Sequence, residues 1–389
     1  MEGSGSLRAA GRRGATMPVA ERSSPIRGLS RRDFLKYCGF MSTLIGAGPL
    51  GLAKVAEALE AATKVPILVW SDFQECLGCT VALLQSTAPT PAQLILQQVS
   101  LAYSEAAMAA AGKDATRSFD QAFEQGAYWV IEGSISEKIP GAIAIGGKNA
   151  GDIAKEFYPK AKGVIAIGSC ACFGNVQART PNPTGAMGVG AWLRGPGGIP
   201  DAAVVNLPRC PGHGDDLVAT LVYILVNGKL PDLDEAGRPI FLYGKTIHET
   251  CERRAHFEAG EFVEVFGDEG SLARWCLYKV GCKGPVTHAP CGINRWNGRV
   301  SWCIHAGPCT GCSEDNFWND FSPLREAVPN IPVPAIQGVS AQTIGVGLAA
   351  ATGAGLAAHF VGQVATGRLF KGGPDSAADA DKMKGGDEQ

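Results

Sequence analysis

Cysteine placement constrains this chain more than any other feature. Thirteen of its 389 residues are cysteine, and seven of them fall between Cys251 and Cys312. Such density calls for a disulfide framework, zinc or iron–sulfur clusters. The surrounding composition is that of a globular protein, 46% hydrophobic and 19% charged, with a formal net charge of −2. So balanced a chain offers nothing for nucleic acid to bind electrostatically. Its 51 glycines and 24 prolines imply many loops and turns, and its length allows two domains with a substantial core.

The N-terminus bears on how the thiols are used. "SRRDFLK" (30–36) places paired arginines before a mostly apolar stretch, Tyr37 to Ala53, and "AEA" (56–58) offers small residues for cleavage. Arginine pairs are common in basic tails. An RR pair followed by Phe-Leu-Lys, an apolar region and an A-x-A site is the pattern of a twin-arginine export signal, here residues 1–58. Proteins on that route cross the membrane already folded around their cofactors. A chain threaded unfolded into an oxidising compartment would pair its thiols, whereas folding in the reducing cytosol keeps them available for metal. Signal and cysteines both point to a preassembled metalloprotein delivered to the periplasmic side. Cys38 would leave with the signal, so twelve cysteines remain.

Short apolar runs then alternate with helical stretches. "VPILVW" (65–70), "YWVIEG" (128–133), "GVIAIGS" (163–169) and "AAVVNLP" (202–208) read as strands. Residues 91–111, opening with Pro91, read as a helix, as do 151–161 and 215–228, the last ended by Gly228. This alternation over residues 62–240 indicates an α/β domain with a doubly wound parallel sheet. Cys76 and Cys79 follow the first run, Cys170 the third and Cys210 the fourth. Ligands of open parallel sheets bind at the carboxyl ends of the strands. Four thiolates converging there suit a [4Fe–4S] cube or tetrahedral zinc.

From 241 to 335 the alternation gives way to Cys, Gly, Trp and Pro in irregular order. Bound clusters can order such a segment, because metal-binding free energy becomes folding free energy. "HETC" (248–251) and "CLYKVGC" (276–282) supply His248, Cys251, Cys276 and Cys282. An imidazole in place of one thiolate makes a cluster less negative and raises its potential. "PCGIN" supplies Cys291, and "PCTGC" (308–312) supplies Cys309 and Cys312; three thiolates suit a [3Fe–4S] cluster, and Cys303 lies between them. Between Ala327 and Gly367 there is no Asp, Glu, Lys or Arg. A helix over 340–366 is expected there, with 343–365 long enough to span a bilayer and Arg368 and Lys371 on its cytoplasmic side. A buried small-residue helix packed on a partner is the alternative. Residues 367–389 read as a disordered tail.

In sequence order, "ECLGCT", "VIEGSI", "GSCACFG", "NLPRCPGHG", "IHETC", "CLYKVGCKGP" and "PCTGCSE" resemble the small subunit of a [NiFe] hydrogenase, membrane-bound uptake type, across nearly the whole chain. The resemblance implies a flavodoxin-like first domain, an irregular, mostly helical iron–sulfur domain and a C-terminal helix. It implies that Cys76, Cys79, Cys170 and Cys210 hold a proximal [4Fe–4S] cluster, and Cys291, Cys309 and Cys312 a medial [3Fe–4S] cluster. His248, Cys251, Cys276 and Cys282 would hold a distal [4Fe–4S] cluster. Cys303 lies near a position where relatives with a three-iron medial cluster often carry proline, and a cysteine there would make it [4Fe–4S]. Cys172 is expected as a buried thiol beside the proximal site. Oxygen-tolerant relatives add two cysteines around that site; Leu77, Gly78 and Asn175 stand here instead, which implies an ordinary four-cysteine cluster.

The implied partner is the large subunit, which carries the Ni–Fe centre and splits hydrogen. Electrons would then pass through three clusters to an acceptor, a membrane cytochrome b feeding quinone. Glu75 and Glu132, near the proximal end, are candidates for proton movement or interface contact, set against the plainer role of hydrogen-bonded structural carboxylates. Three other functions fit parts of the pattern: a disulfide-held binding protein, a zinc scaffold, and an electron-transfer subunit of another redox complex. About 11 or 12 irons per chain would separate the cluster reading from the first two.

Overall fold

The computed structural model describes residues 48–61, 66–86, 90–91, 99–296, 301–326 and 341–366, with 36, 38, 39, 41–43 and 45. The paired arginines, residues 92–98 and 327–340, and the tail beyond 366 lie outside the described residues. Met1–Ala327 form one compact unit and Val328–Gln389 a second.

Five strands make the central sheet: β1 (Ile67–Asp72), β2 (Ser100–Ser104), β3 (Tyr128–Glu132), β4 (Gly163–Ile167) and β5 (Val204–Leu207). All neighbours pair in parallel, in the order β2-β1-β3-β4-β5. This is the flavodoxin-like winding, whose order reverses at β1/β3 and opens a crevice at the carboxyl ends of those two strands. Every residue of β3 is buried, and its side chains divide by alternation. Tyr128 and Val130 join the core on one face of the sheet, Trp129 and Ile131 the core on the other.

Helices cover both faces. The first are α1 (Gly48–Ala61), α2 (Gly78–Leu84), α3 (Gly112–Glu124) and α4 (Ala150–Phe157). They are followed by α5 (Gly168–Phe173) and α6 (Gly214–Asn227). On the Trp129 face, Phe119 and Phe123 from α3 and Phe157 from α4 stack edge-on or tilted around the indole. On the other face, Leu217, Leu221 and Val222 from α6 fill the core. Cys38, Met41, Ile45 and Val55 are buried in that same cluster, so part of the expected signal region packs against α6 in the chain as it stands.

The four expected strands and the helices near 151–161 and 215–228 are present, with ends displaced by a few residues. Gly228 closes α6 in the left-handed region at φ 66°, the conformation that favours glycine at a helix end. The expected helix over 91–111 is corrected beyond residue 99. Ser100–Ser104 form β2, an edge strand, and the helix that follows begins only at Gly112. The run "SLAYS" is half-exposed along its first part, so no clean alternation marks it, and parallel pairing with β1 overrides the helical propensity of its Ala-rich surroundings.

The described residues of 240–326 contain short helices such as Arg254–Glu258 and Cys303–Ala306, single 3₁₀ turns, and isolated bridges rather than strands. A buried polar knot ties this segment to the sheet. Arg209, just past β5, pairs with Asp216 of α6 at 3.1 Å and donates to Asn294 Oδ1 at 2.6 Å. Asn294 donates back to Asp216 at 2.5 Å, and Tyr243 donates to the same carboxylate at 2.9 Å.

In the second unit, α7 (Ala341–Ala365) is a single 25-residue helix. Its stretch Val346–Ala365 is long and apolar enough to cross a membrane, and none of that stretch is buried.

Candidate metal-cluster sites

The crevice at β1/β3 holds the first group of thiols. Leu77, in the left-handed region at φ 58°, turns the chain out of β1 and into α2, leaving Cys76 exposed and Cys79 buried. Glu132, the last residue of β3, clamps the start of α2. Its carboxylate accepts from the Cys79 and Thr80 backbone N–H groups at 2.8 and 2.9 Å and from the Thr80 hydroxyl at 2.8 Å. Cys79 Sγ accepts from the Gly212 N–H at 3.2 Å. Gly168, opening α5 at φ 80°, has to be glycine, since a Cβ there would stand 2.4 Å from Cys79 Sγ.

Cys170 on α5 and Cys210 after β5 complete this group. The Asn175 amide donates to both sulfurs, at 3.2 and 3.4 Å, and Gln177 donates to Cys170 at 3.4 Å. Burial pushes the Cys170 thiol up to about 11; the two amides pull it down, and the Cys210 and Cys76 sulfurs push it up. Cys172 is buried and donates to the Ala166 carbonyl at 3.3 Å, as a packed thiol does.

Carboxyl groups crowd beside this site. Burial raises Asp72 to about 6 and Glu105 to about 7. It raises Glu75 to about 8, with the charges of Glu132 and Asp72 adding to the effect. Glu132, with three donors fixed on it, plays the structural role weighed for it in the sequence.

The second group lies where the irregular segment meets the sheet. Cys291 and Cys309 are buried, and the Gly311 N–H donates to Cys309 Sγ at 3.4 Å. Burial first, then the nearby Cys291 sulfur, pushes the Cys312 thiol well up, and Cys303 and Cys210 add to this. Cys303 therefore stands near Cys291 and Cys312, although it is itself exposed. The Ser169 hydroxyl at the start of α5 donates to the Cys312 carbonyl, bringing the first and second groups side by side.

The third group lines one small pocket, formed by His248, Cys251, Cys276 and Cys282 together with Arg253. Backbone N–H groups reach the sulfurs at 3.4 Å: Arg253 to Cys251, and both Gly284 and Cys309 to Cys282. Burial lowers the His248 pKa, favouring the neutral imidazole that metals bind. Phe257 packs edge-on against that ring at 4.6 Å.

All twelve cysteines from Cys76 to Cys312 are free thiols, which removes the disulfide framework. Among the described residues no three His, Cys, Asp or Glu side chains close tightly on one point. A lone zinc takes its thiolates at about 2.3 Å from one centre. In a cluster of several irons each iron takes one ligand, and the N–H···S bonds around these sulfurs are the kind that tune such clusters. Arg209, Lys283 and Arg253 escaped the sequence reading, and Asn175 entered it only as the residue standing in place of an added cysteine, not as a donor to sulfur. The only available signal was that each lies within five residues of a cysteine.

A flavodoxin-like sheet with thiols at its switch point, joined to a turn-rich segment with two more such groups, defines a redox-cluster protein. Residues 243–325 match the family model for the C-terminal part of the NiFe/NiFeSe hydrogenase small subunit. Residues 76–224 match "NADH ubiquinone oxidoreductase, 20 Kd subunit". The second match alone would suit a subunit of another redox complex; the first does not. The quinone-reactive Ni/Fe-hydrogenase small chain of Wolinella succinogenes is 39% identical over 86% of this chain and 96% of its own length. A periplasmic [NiFe] hydrogenase small subunit of Nitratidesulfovibrio vulgaris is 42% identical over 79% of this chain and 96% of its own. The solved Ni-Fe-Se hydrogenase of Desulfomicrobium baculatum aligns at TM-score 0.63 and 30% identity, over 68% of this chain and 100% of that one.

The chain belongs to the [NiFe] hydrogenase small-subunit family. It is the electron-transfer subunit, and the catalytic Ni–Fe site lies on the large subunit.

Proposed function

We propose that this protein carries electrons from hydrogen oxidation through three iron–sulfur clusters to a membrane cytochrome b and quinone. Cys76, Cys79, Cys170 and Cys210 hold the proximal [4Fe–4S] cluster, and His248, Cys251, Cys276 and Cys282 the distal one. Cys291, Cys309 and Cys312 hold the medial cluster, with Cys303 as its fourth ligand. When bound, the clusters supply one-electron redox steps whose potentials follow ligand identity, hydrogen bonding to sulfur and burial. The protein's own part is to gather the thiols, donate N–H groups to them and bury some of them, Cys79, Cys276, Cys291 and Cys309. The observation that carries the reading is the grouping itself: the proposed ligands fall into three neighbouring sets within one compact unit.

The "quinone-reactive" relative supports quinone as the final acceptor. Twin-arginine export places the protein on the periplasmic side, and α7 anchors it. Iron analysis and low-temperature EPR of the purified heterodimer test the assignment. About 12 irons per chain and no three-iron signal in the oxidised protein are expected. A strong oxidised three-iron signal removes Cys303 from the ligand set, and iron far below about 11 overturns the cluster reading.

A further inference from the structure

Lys283 follows Cys282 of the third group in sequence, and its backbone N–H donates to the Cys309 carbonyl of the second group at 2.9 Å. Cys309 in turn donates its N–H to Cys282 Sγ at 3.4 Å, so Lys283 stands at the seam between the two groups. Its side chain is 1% exposed. The ammonium donates to the Gly281 carbonyl at 3.1 Å and to the Glu326 carbonyl, both neutral acceptors. Among the described residues no carboxylate stands within ion-pairing distance of it. The other buried basic side chains differ. Arg209 is paired with Asp216, and Arg238 with Asp234 and Glu314. Arg253 also lacks a carboxylate, but it lines the third cavity alone.

A buried charge without a counter-charge is strongly destabilising. The groups that act on the Lys283 charge are the sulfurs on either side of it, Cys282 and Cys309, ahead of the Glu326 carboxylate, which lies beyond ion-pairing distance. We propose that Lys283 is a potential-setting residue of the relay, its buried ammonium shared by the medial and distal sites and raising the reduction potential of both. The inference rests on the cluster assignment above. Placed at the seam, the cation offsets the repulsion between negative charge on one site and negative charge on the next. Removing the charge makes reduction of both centres harder and leaves the proximal centre, on the far side of the medial group, unmoved.

The test is an EPR-monitored redox titration of the purified heterodimer, with iron counted in every sample. Lys283→Met is expected to change the oxidised-to-reduced ratio of the medial and distal centres at least tenfold at fixed ambient potential. For a one-electron centre that is a midpoint lower by about 59 mV. Lys283→Arg, which keeps the charge, is expected to stay within about twofold. Should Lys283→Met lose iron, Lys283→Gln, which still donates to carbonyl oxygens, carries the comparison. Unchanged medial and distal midpoints in an iron-replete neutral variant overturn the proposal, as does a Lys283→Arg shift as large as the Met shift. Absence of cluster signals from the unmodified heterodimer would instead overturn the cluster assignment itself.

Discussion

Asp72 and Glu132 end adjacent strands, yet their carboxylates meet different fates. Glu132 is fully committed to the start of α2 through three accepted hydrogen bonds. One oxygen of Asp72 accepts from the Trp70 indole at 3.0 Å, while the other is buried without a partner. Burial, and then the charge of Glu132, holds Asp72 at about 6 against an ordinary 3.8. A carboxyl whose folded pKa is raised binds its proton more tightly in the native state. It therefore costs no stability below the unfolded pKa, and the full cost is present above the folded one. Asp72→Asn keeps the acceptor for Trp70 and removes the charge. The variant heterodimer is expected to melt higher than the unmodified protein at about pH 8, with the difference closing toward about pH 4. Thermal unfolding at the two pH values checks this; a gain that is the same at both would mean the charge is not its cause.

At the scale of elements, the turn from β4 into α5 does most to shape the first site. Gly168 lets α5 start directly beneath Cys79, and α5 then presents Cys170. Gly168→Ala asks for a left-handed backbone at φ 80° in a residue with a Cβ, and drives that Cβ into the Cys79 sulfur. The variant is expected to lose about four irons per chain while keeping the medial and distal signals. Metal analysis with EPR reads this out, and full iron content would show that the close approach is relieved elsewhere. The edge strand β2 teaches a different lesson. Its residues lie in a run whose composition favours a helix, and only the neighbouring β1 supplies the hydrogen bonds that make it a strand. By contrast α6 was legible, because an apolar run ended by Gly228 states both the element and its end.

For the whole molecule, the proposed anchoring by α7 is separable from the proposed electron transfer. Truncation before Ala341 removes the stretch that can cross a bilayer and none of the proposed cluster ligands. Such a heterodimer is expected to move from the membrane to the soluble periplasmic fraction while still reducing a soluble dye with hydrogen. Activity assayed in the two fractions decides it, and retention on the membrane after truncation would mean that something other than α7 holds the complex there.

The chemistry of the candidate ligands was determined by sequence alone. A thiol or imidazole is itself at any fold, and its place just past a strand or inside a short turn is written in local spacing. The parallel sheet was equally legible, since buried strands are contiguous apolar runs. What surrounds the sulfurs was decided by tertiary structure. Arg209 meets Asp216 and Asn294 across separations of 7 and 85 residues. Lys283 is hidden from water by residues far from it in the chain, among them Glu326, 43 positions away. Burial and long-range pairing are properties of the folded ensemble of neighbours, which no local pattern encodes. They turn an ordinary lysine beside a cysteine into a fixed charge at the seam of two sites.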